Sequence, residues 1–181
     1  GVERENGKVI KCKHLIANTS PNKLFGSMVD KRDVPEQDIR TINARTLGVR
    51  GFNVYLGLNK TPEELKLKDY TYLVYNYADS KKLAKKLEHN SSRDVEMIAA
   101  TVPTVVNKNV CPAGTTIVQI TSFFLNNAWD DVKPSEYEYE KNRVAMACIE
   151  MFEKATKTKI KDAIEEISIA SPATFARYGS H

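Results

Sequence analysis

The sequence is short of the residues that build metal, redox and phosphate sites. Its three cysteines, Cys12, Cys111 and Cys148, are odd in number and far apart, which excludes a disulfide framework and any C-x-x-C centre and points to a reducing compartment. Eight glycines never fall as G-x-G, so neither a dinucleotide fingerprint nor a phosphate loop is present. The three histidines, His14, His89 and His181, have no second ligand at helical spacing, and no metal site is expected. No G-x-S-x-G elbow occurs, and no cysteine sits in a recognisable catalytic setting. No apolar run approaches the roughly 18 residues of a membrane span, and no charged-then-apolar leader opens the chain. The protein is therefore expected to be cytoplasmic, or at most peripheral to a membrane. Gly1-Val2 reads as the interior of a strand, which predicts a segment of a longer polypeptide.

What is present is an ordinary globular composition. With 181 residues, 41% hydrophobic and 28% charged, the chain can bury a real core. The net charge of +4 comes from 27 basic and 23 acidic residues, interleaved along the sequence, which argues against a nucleic-acid stripe. Lys81, Lys82, Lys85 and Lys86, and then Lys154, Lys157, Lys159 and Lys161, read as solvated faces on helices or helix ends.

Hydropathy patterning predicts α+β architecture. Asn6-Gly7 joins two short extended runs as a β-hairpin. His14 to Ala17 reads as a strand that leads into a helix capped by Ser20 and begun by Pro21, carrying Leu24, Phe25 and Met28. A further short helix begins at Asp33 to Pro35 and buries Ile39 and Ile42. From Gly51 the period becomes two, with Phe52, Val54, Leu56 and Leu58 on one face and Asn53, Tyr55 and Gly57 on the other. Thr61 and Glu64 have the spacing of a capping box. Tyr70 to Tyr77, Val95 to Val102 and Thr115 to Leu125 read as strands, and Ser80 to Leu87 as a helix. Ser135 and Glu138 open a long helix whose stripe is Val144, Cys148, Met151, Phe152 and Ala155. Ile164, Ile167 and Ile169 form a final strand ending at Ser171-Pro172. The sum is a largely antiparallel, in part mixed, sheet of five to six strands with helices on one face, preceded by a hairpin.

Glu165-Glu166 and Asp130-Asp131 are adjacent acidic pairs, and since neighbours on a strand point to opposite faces the first makes a poor acid/base couple. Tyr55, Tyr70, Tyr72, Tyr75, Tyr77, Phe123 and Phe124 supply much of the aromatic content of the strands. Such residues serve either a core or the wall of an apolar cavity.

Several segments in order resemble the phytoene desaturase, carotenoid isomerase and retinol saturase family of FAD-dependent oxidoreductases. Leu15-Ile16-Ala17-Asn18 with Pro21 is similar to the strand that ends the family's β-meander beside the flavin, with Lys13-His14 in place of a small and an acidic residue. Phe52-Asn53-Val54-Tyr55-Leu56-Gly57-Leu58, then Val102-Pro103-Thr104 and Cys111-Pro112-Ala113-Gly114-Thr115, resemble its substrate-domain strands and their connection. Trp129, Tyr137 and Lys141, and Ala170-Ser171-Pro172-Ala173-Thr174, resemble the closing segments, with Ser171 in place of threonine.

The resemblance implies residues 1–21 as the end of an FAD-domain meander, 22–171 as a substrate-binding domain and 172–181 as a return toward the FAD domain. It implies Asn18, Ser20, Pro21, Ser171, Pro172 and Thr174 at the flavin rim. Either the face of Tyr55 and Phe123 or the face of Phe52 and Val54 would wall a cavity for an apolar polyene or isoprenoid-like substrate. FAD would belong to the full-length protein and not to this segment alone, whose partner would be the remainder of the same polypeptide. No catalytic acid or base can be nominated, and the segment by itself is expected to be inactive. An amine oxidase-like flavoenzyme domain and a non-catalytic lipid- or partner-binding module remain as alternatives.

Overall fold

The computed structural model describes residues 1–45, 48–125 and 128–179, and the chain divides into two compact units, Gly1–Thr46 with Gly179–His181 and Leu47–Tyr178. In the smaller unit, β1 (Val2–Glu3) pairs antiparallel with β2 (Val9–Ile10). Only Gly7 of the Asn-Gly pair takes a positive φ, +76°, while Asn6 Oδ1 accepts the amide of Lys8. The His14–Ala17 strand does not form. A strand needs a neighbour for its backbone groups, none of the described strands pairs with this run, and Ile16 lies almost wholly in solvent. Helix α1 (Pro21–Lys23) begins at the expected residue and continues as a π-type turn through Met28. Ser20 stands at its N-cap without a side-chain bond. Helix α2 (Glu36–Asn43) follows, with Pro35 before it and Ile39 and Ile42 half-buried.

The larger unit is built on a five-stranded antiparallel sheet. Its strands are β3 (Arg50–Leu58), β4 (Thr71–Tyr75), β5 (Met97–Thr101), β6 (Thr116–Phe124) and β7 (Ile164–Ala170), in the order β4-β5-β6-β3-β7. Together with the hairpin this is the α+β fold that the patterning predicts. The pairing is antiparallel throughout the described strands, so the mixed element of that expectation is absent. Strand β3 pairs along its whole length with β6, Arg50 opposite Phe124 through Leu58 opposite Thr116, and from Asn53 onward with β7. From Phe52 onward the even-numbered residues of β3, and those of β6, among them Phe52, Val54, Leu56, Val118, Ile120 and Phe124, are sealed in the core.

Helices α3 (Ser80–Glu88) and α4 (Pro103–Val106) lie between strands along the chain, and helix α5 (Tyr137–Thr156) belongs to that core. Its buried apolar stripe is Val144, Ala145, Cys148, Ile149 and Phe152, whereas Met151 is half-buried and Ala155 exposed. The helical pitch centres the buried face on Cys148 and Phe152 and leaves Met151 on its shoulder. The helix starts without a Ser135 cap bond, its N-cap being Glu136, while the Thr61–Glu64 box forms in both directions. Trp129 stacks on Phe52 with centroids 5.3 Å apart and meets Phe124 and Tyr137 edge-on. Its indole N–H finds no acceptor among the described residues. That costs about 1–3 kcal/mol, less than the roughly 4–6 kcal/mol gained by burying an indole of this size.

An ion network fastens the loops on this side. Arg93 holds a left-handed φ of +57°, and its guanidinium donates to Glu140 at 2.7 Å, to the Ala128 carbonyl at 2.8 Å and to Asp131 at 3.0 Å. Arg143 donates to both oxygens of Glu140 and to the Ser92 carbonyl. The hydrogen bonds from Arg143, joined by those from Arg93 against the cost of desolvation, hold the Glu140 carboxyl down at about 2 instead of 4.5.

Because the folded-state value lies below the unfolded one, this carboxylate stabilises the fold fully above about pH 4.5 and loses its effect as pH falls toward about 2. Glu140→Gln should cost about 1–3 kcal/mol near neutrality. In urea titrations from pH 7 to pH 2, the gap between wild type and variant should close across that acid window.

Candidate functional site: the open face of the sheet

The two faces of the sheet are unlike. The inner one is filled by α5, Trp129 and the loops, and it contains Phe52 and Val54 with no exposure. The outer one carries Tyr55 and Phe123, the first exposed and the second half-buried. Cross-strand pairing arranges this outer face in transverse rows. One row runs Leu73, Ala99, Thr121, Asn53 and Ala170, and the next runs Thr71, Thr101, Gln119, Tyr55 and Ser168. At about 4.8 Å per strand a five-strand row spans roughly 19 Å, and successive rows lie about 7 Å apart. Small side chains in the first row, Ala99 and Ala170, lie beside the taller Tyr55 and Gln119 in the second. Asn53 Nδ2 donates to the Tyr55 hydroxyl at 2.8 Å, which ties the ring down along its strand. At one end Phe175 lies over Gly51, its ring 3.7 Å from where a Cβ would stand. A side chain at Gly51 would crowd that contact.

This face has the chemistry of binding and not of proton transfer. Among its described residues paired across the sheet Glu166, opposite Gly57, is the one carboxylate, and no histidine, lysine or cysteine accompanies it. Hydroxyl, amide, aromatic and aliphatic groups can position and desolvate a ligand. Among the described residues no cluster of histidine, cysteine or acidic side chains could hold a metal. The histidine His181 lies outside the described residues. Burial pushes the Cys148 thiol up to about 12, so it stays protonated and inert. Asp130 and Asp131, adjacent in sequence, are each taken by an arginine, Arg50 and Arg93.

The residues expected at a flavin rim fall in two places. Asn18, Ser20 and Pro21 lie in the smaller unit, with Ser20 buried and the other two exposed. Ser171, Pro172 and Thr174 lie in the larger unit at the start of α6 (Pro172–Gly179). There Ser171 accepts the Thr174 amide at 3.3 Å, and its own amide donates to Thr174 Oγ1 at 3.2 Å. This reciprocal cap satisfies helix-end donors internally. The Tyr137 hydroxyl bonds Ser171 Oγ at 2.6 Å, so the start of α6 is fastened to the start of α5. Ser171 is fully buried and its hydroxyl is already engaged. FAD needs a helix N-terminus open to its pyrophosphate and glycines that allow close approach. The start of α6 is closed by its own cap and no G-x-G turn occurs in the sequence, so the rim residues do not fit the cofactor by themselves. The Tyr137–Ser171 link escaped sequence reading because 34 residues separate its partners. The Arg93–Glu140 pair escaped for the same reason, at 47 residues.

No protein-family model matches the chain. Among curated proteins it is similar to prolycopene isomerase 2 and prolycopene isomerase 1, both chloroplastic, of an Oncidium hybrid cultivar, each 25% identical over 183 residues. It is also similar to the chloroplastic prolycopene isomerase of Arabidopsis thaliana, 21% identical over 178 residues. Each alignment covers 98% of this chain and 28% or 29% of the relative. The chain thus spans less than a third of the length of these relatives.

Tyr137→Phe should destabilise the larger unit by about 1–2 kcal/mol and accelerate amide exchange in α6 more than in the central strands. Titration of the isolated chain into FAD, followed by flavin fluorescence, should show no saturable binding; a stoichiometric yellow complex would overturn the fit argument.

Proposed function

We propose that this chain is the substrate-side part of an FAD-dependent oxidoreductase that acts on an apolar polyene or isoprenoid-like compound, by desaturation, saturation or isomerisation. The observation that carries the reading is the likeness to prolycopene isomerases along 98% of the chain. It agrees with an outer sheet face of aromatic, aliphatic and uncharged polar groups that lacks an acid/base pair. FAD bound to the remainder of the polypeptide would supply the redox chemistry. The residues of this chain would bind the substrate, orient it and keep water from it. Tyr55, held by Asn53, and Phe123 would contact the substrate, while Phe52 and Val54 support them from the core. The solvent-exposed run at Leu15 and Ile16 suits a strand that completes its pairing with the rest of the same polypeptide.

In the full-length protein with FAD, screened by absorbance against carotenoids and retinoids, Tyr55→Ala should raise KM for the accepted polyene about 5- to 10-fold, as expected for one lost aromatic contact. Flavin affinity should stay unchanged. Equal loss of both would assign Tyr55 a folding role and remove the outer face from the substrate site.

A further inference from the structure

Taken as a substrate wall, which is the premise here, the outer face of the sheet also holds a polar centre. In the row Thr71, Thr101, Gln119, Tyr55 and Ser168 every side chain is polar and none is charged. The neighbouring row adds Thr121 opposite Asn53 over the same two central strands, β6 and β3. Apolar side chains stand on both sides of this centre along the strands. Ile117, opposite Gly57, lies beyond the polar row, and Phe123, opposite Gly51, beyond the mixed one. A face turned only to water ordinarily carries charge. Of the whole chain 28% is charged, yet neither row holds a charged residue, and Asn53, Thr101, Gln119 and Thr121 are half-buried. Few polar groups within an apolar surround are the construction of a ligand wall.

Hydrogen-bonding capacity is left over at this centre. Asn53 Nδ2 donates to the Tyr55 oxygen at 2.8 Å, which leaves the phenolic proton of Tyr55 to be donated elsewhere. Among the described residues nothing bonds the side chains of Thr101, Gln119 or Thr121. Gln119 stands directly opposite Tyr55, about 5 Å away between Cβ atoms, and its amide brings both donors and an acceptor. A plain hydrocarbon laid over this pair strips water from these groups and returns no hydrogen bond, the unfavourable case for a polar group. An occupant with an oxygen at that point satisfies them.

We propose that the outer face recognises an oxygenated isoprenoid, with a hydroxyl or carbonyl oxygen of the ligand lodged at Tyr55 and Gln119 and its hydrocarbon chain on the apolar residues around them. The Tyr55 hydroxyl and Gln119 Nε2 donate to that oxygen, and where the ligand is an alcohol Gln119 Oε1 accepts its proton. Tyr55 and Gln119 are specificity residues in this arrangement. They select against the hydrocarbon of the same skeleton and take no part in the redox step.

The test uses the full-length protein with FAD and polyenes that differ only in oxygen: zeaxanthin against β-carotene, and retinol and retinaldehyde against the hydrocarbon of their skeleton. kcat/KM for the oxygenated member should exceed that for the hydrocarbon about 100-fold or more, because a site that hydrogen-bonds a substrate hydroxyl rejects the analogue without it. Tyr55→Phe and Gln119→Leu should each lower this ratio about 5- to 10-fold, most of the loss falling on the oxygenated member, with an unchanged melting temperature. A preference confined to retinol assigns the contact to a hydroxyl, and one confined to retinaldehyde assigns it to a carbonyl. Equal use of the hydrocarbon by the wild type, or an equal fall for both members in the two variants, would overturn the oxygen contact and leave the polyene reading in place. Turnover of no polyene of either kind would remove that reading and this inference with it.

Discussion

The alternation of β3 constrains everything else in the larger unit. Phe52, Val54, Leu56 and Leu58 must face inward together, because a slip of one residue would carry all of them into solvent and bring Asn53 and Tyr55 into the core. The strand pairs with β6 along its length and with β7 from Asn53 onward, so its register propagates to both sides. The buried positions of β6 fall opposite those of β3, and β5 inherits its faces from β6 in turn. Once β3 is set, the composition of both sheet faces follows.

The two faces then take different roles. Phe52 and Phe124, with Trp129 against both, close the inner face near the loop that Arg93 and Asp131 fasten to Glu140. Tyr72 and Phe152 meet edge-on under β4, so α5 is held toward the far edge as well. A filled and ionically fastened inner side makes the outer side a firm platform. Its transverse rows of small and tall side chains are fixed by backbone pairing and not by loop conformation.

The likeness to prolycopene isomerases and the physical reading of the sheet are independent observations. The first extends over 98% of the chain at 21% to 25% identity. The second finds a sheet face with ligand-wall chemistry and no acid/base couple. The start of α6 is built as a joint. Ser171 spends its hydroxyl on Tyr137 and on its own helix cap, as a structural joint does.

Much of the fold was legible in the residues because its signals are local. The hairpin, the capping box of Thr61 and Glu64, the strands from Gly51 onward and the long helix rest on turn chemistry and on periods of two or near four, which act over a few residues. The His14–Ala17 strand failed because pairing is not local, and the described residues hold no neighbour for it. The stripe of α5 came out rotated, with Ala145 and Ile149 in place of Ala155, because the position of a helix over a sheet decides which shoulder is buried. Sequence alone also left the choice between the Phe52 and Tyr55 faces open: period two separates two faces but cannot say which one a helix will cover. The tertiary structure decided that choice for the core, by placing α5 and Trp129 over Phe52 and leaving Tyr55 to solvent. It also joined Arg93 to Glu140 and Tyr137 to Ser171, contacts that depend on chain closure over distances no local pattern encodes.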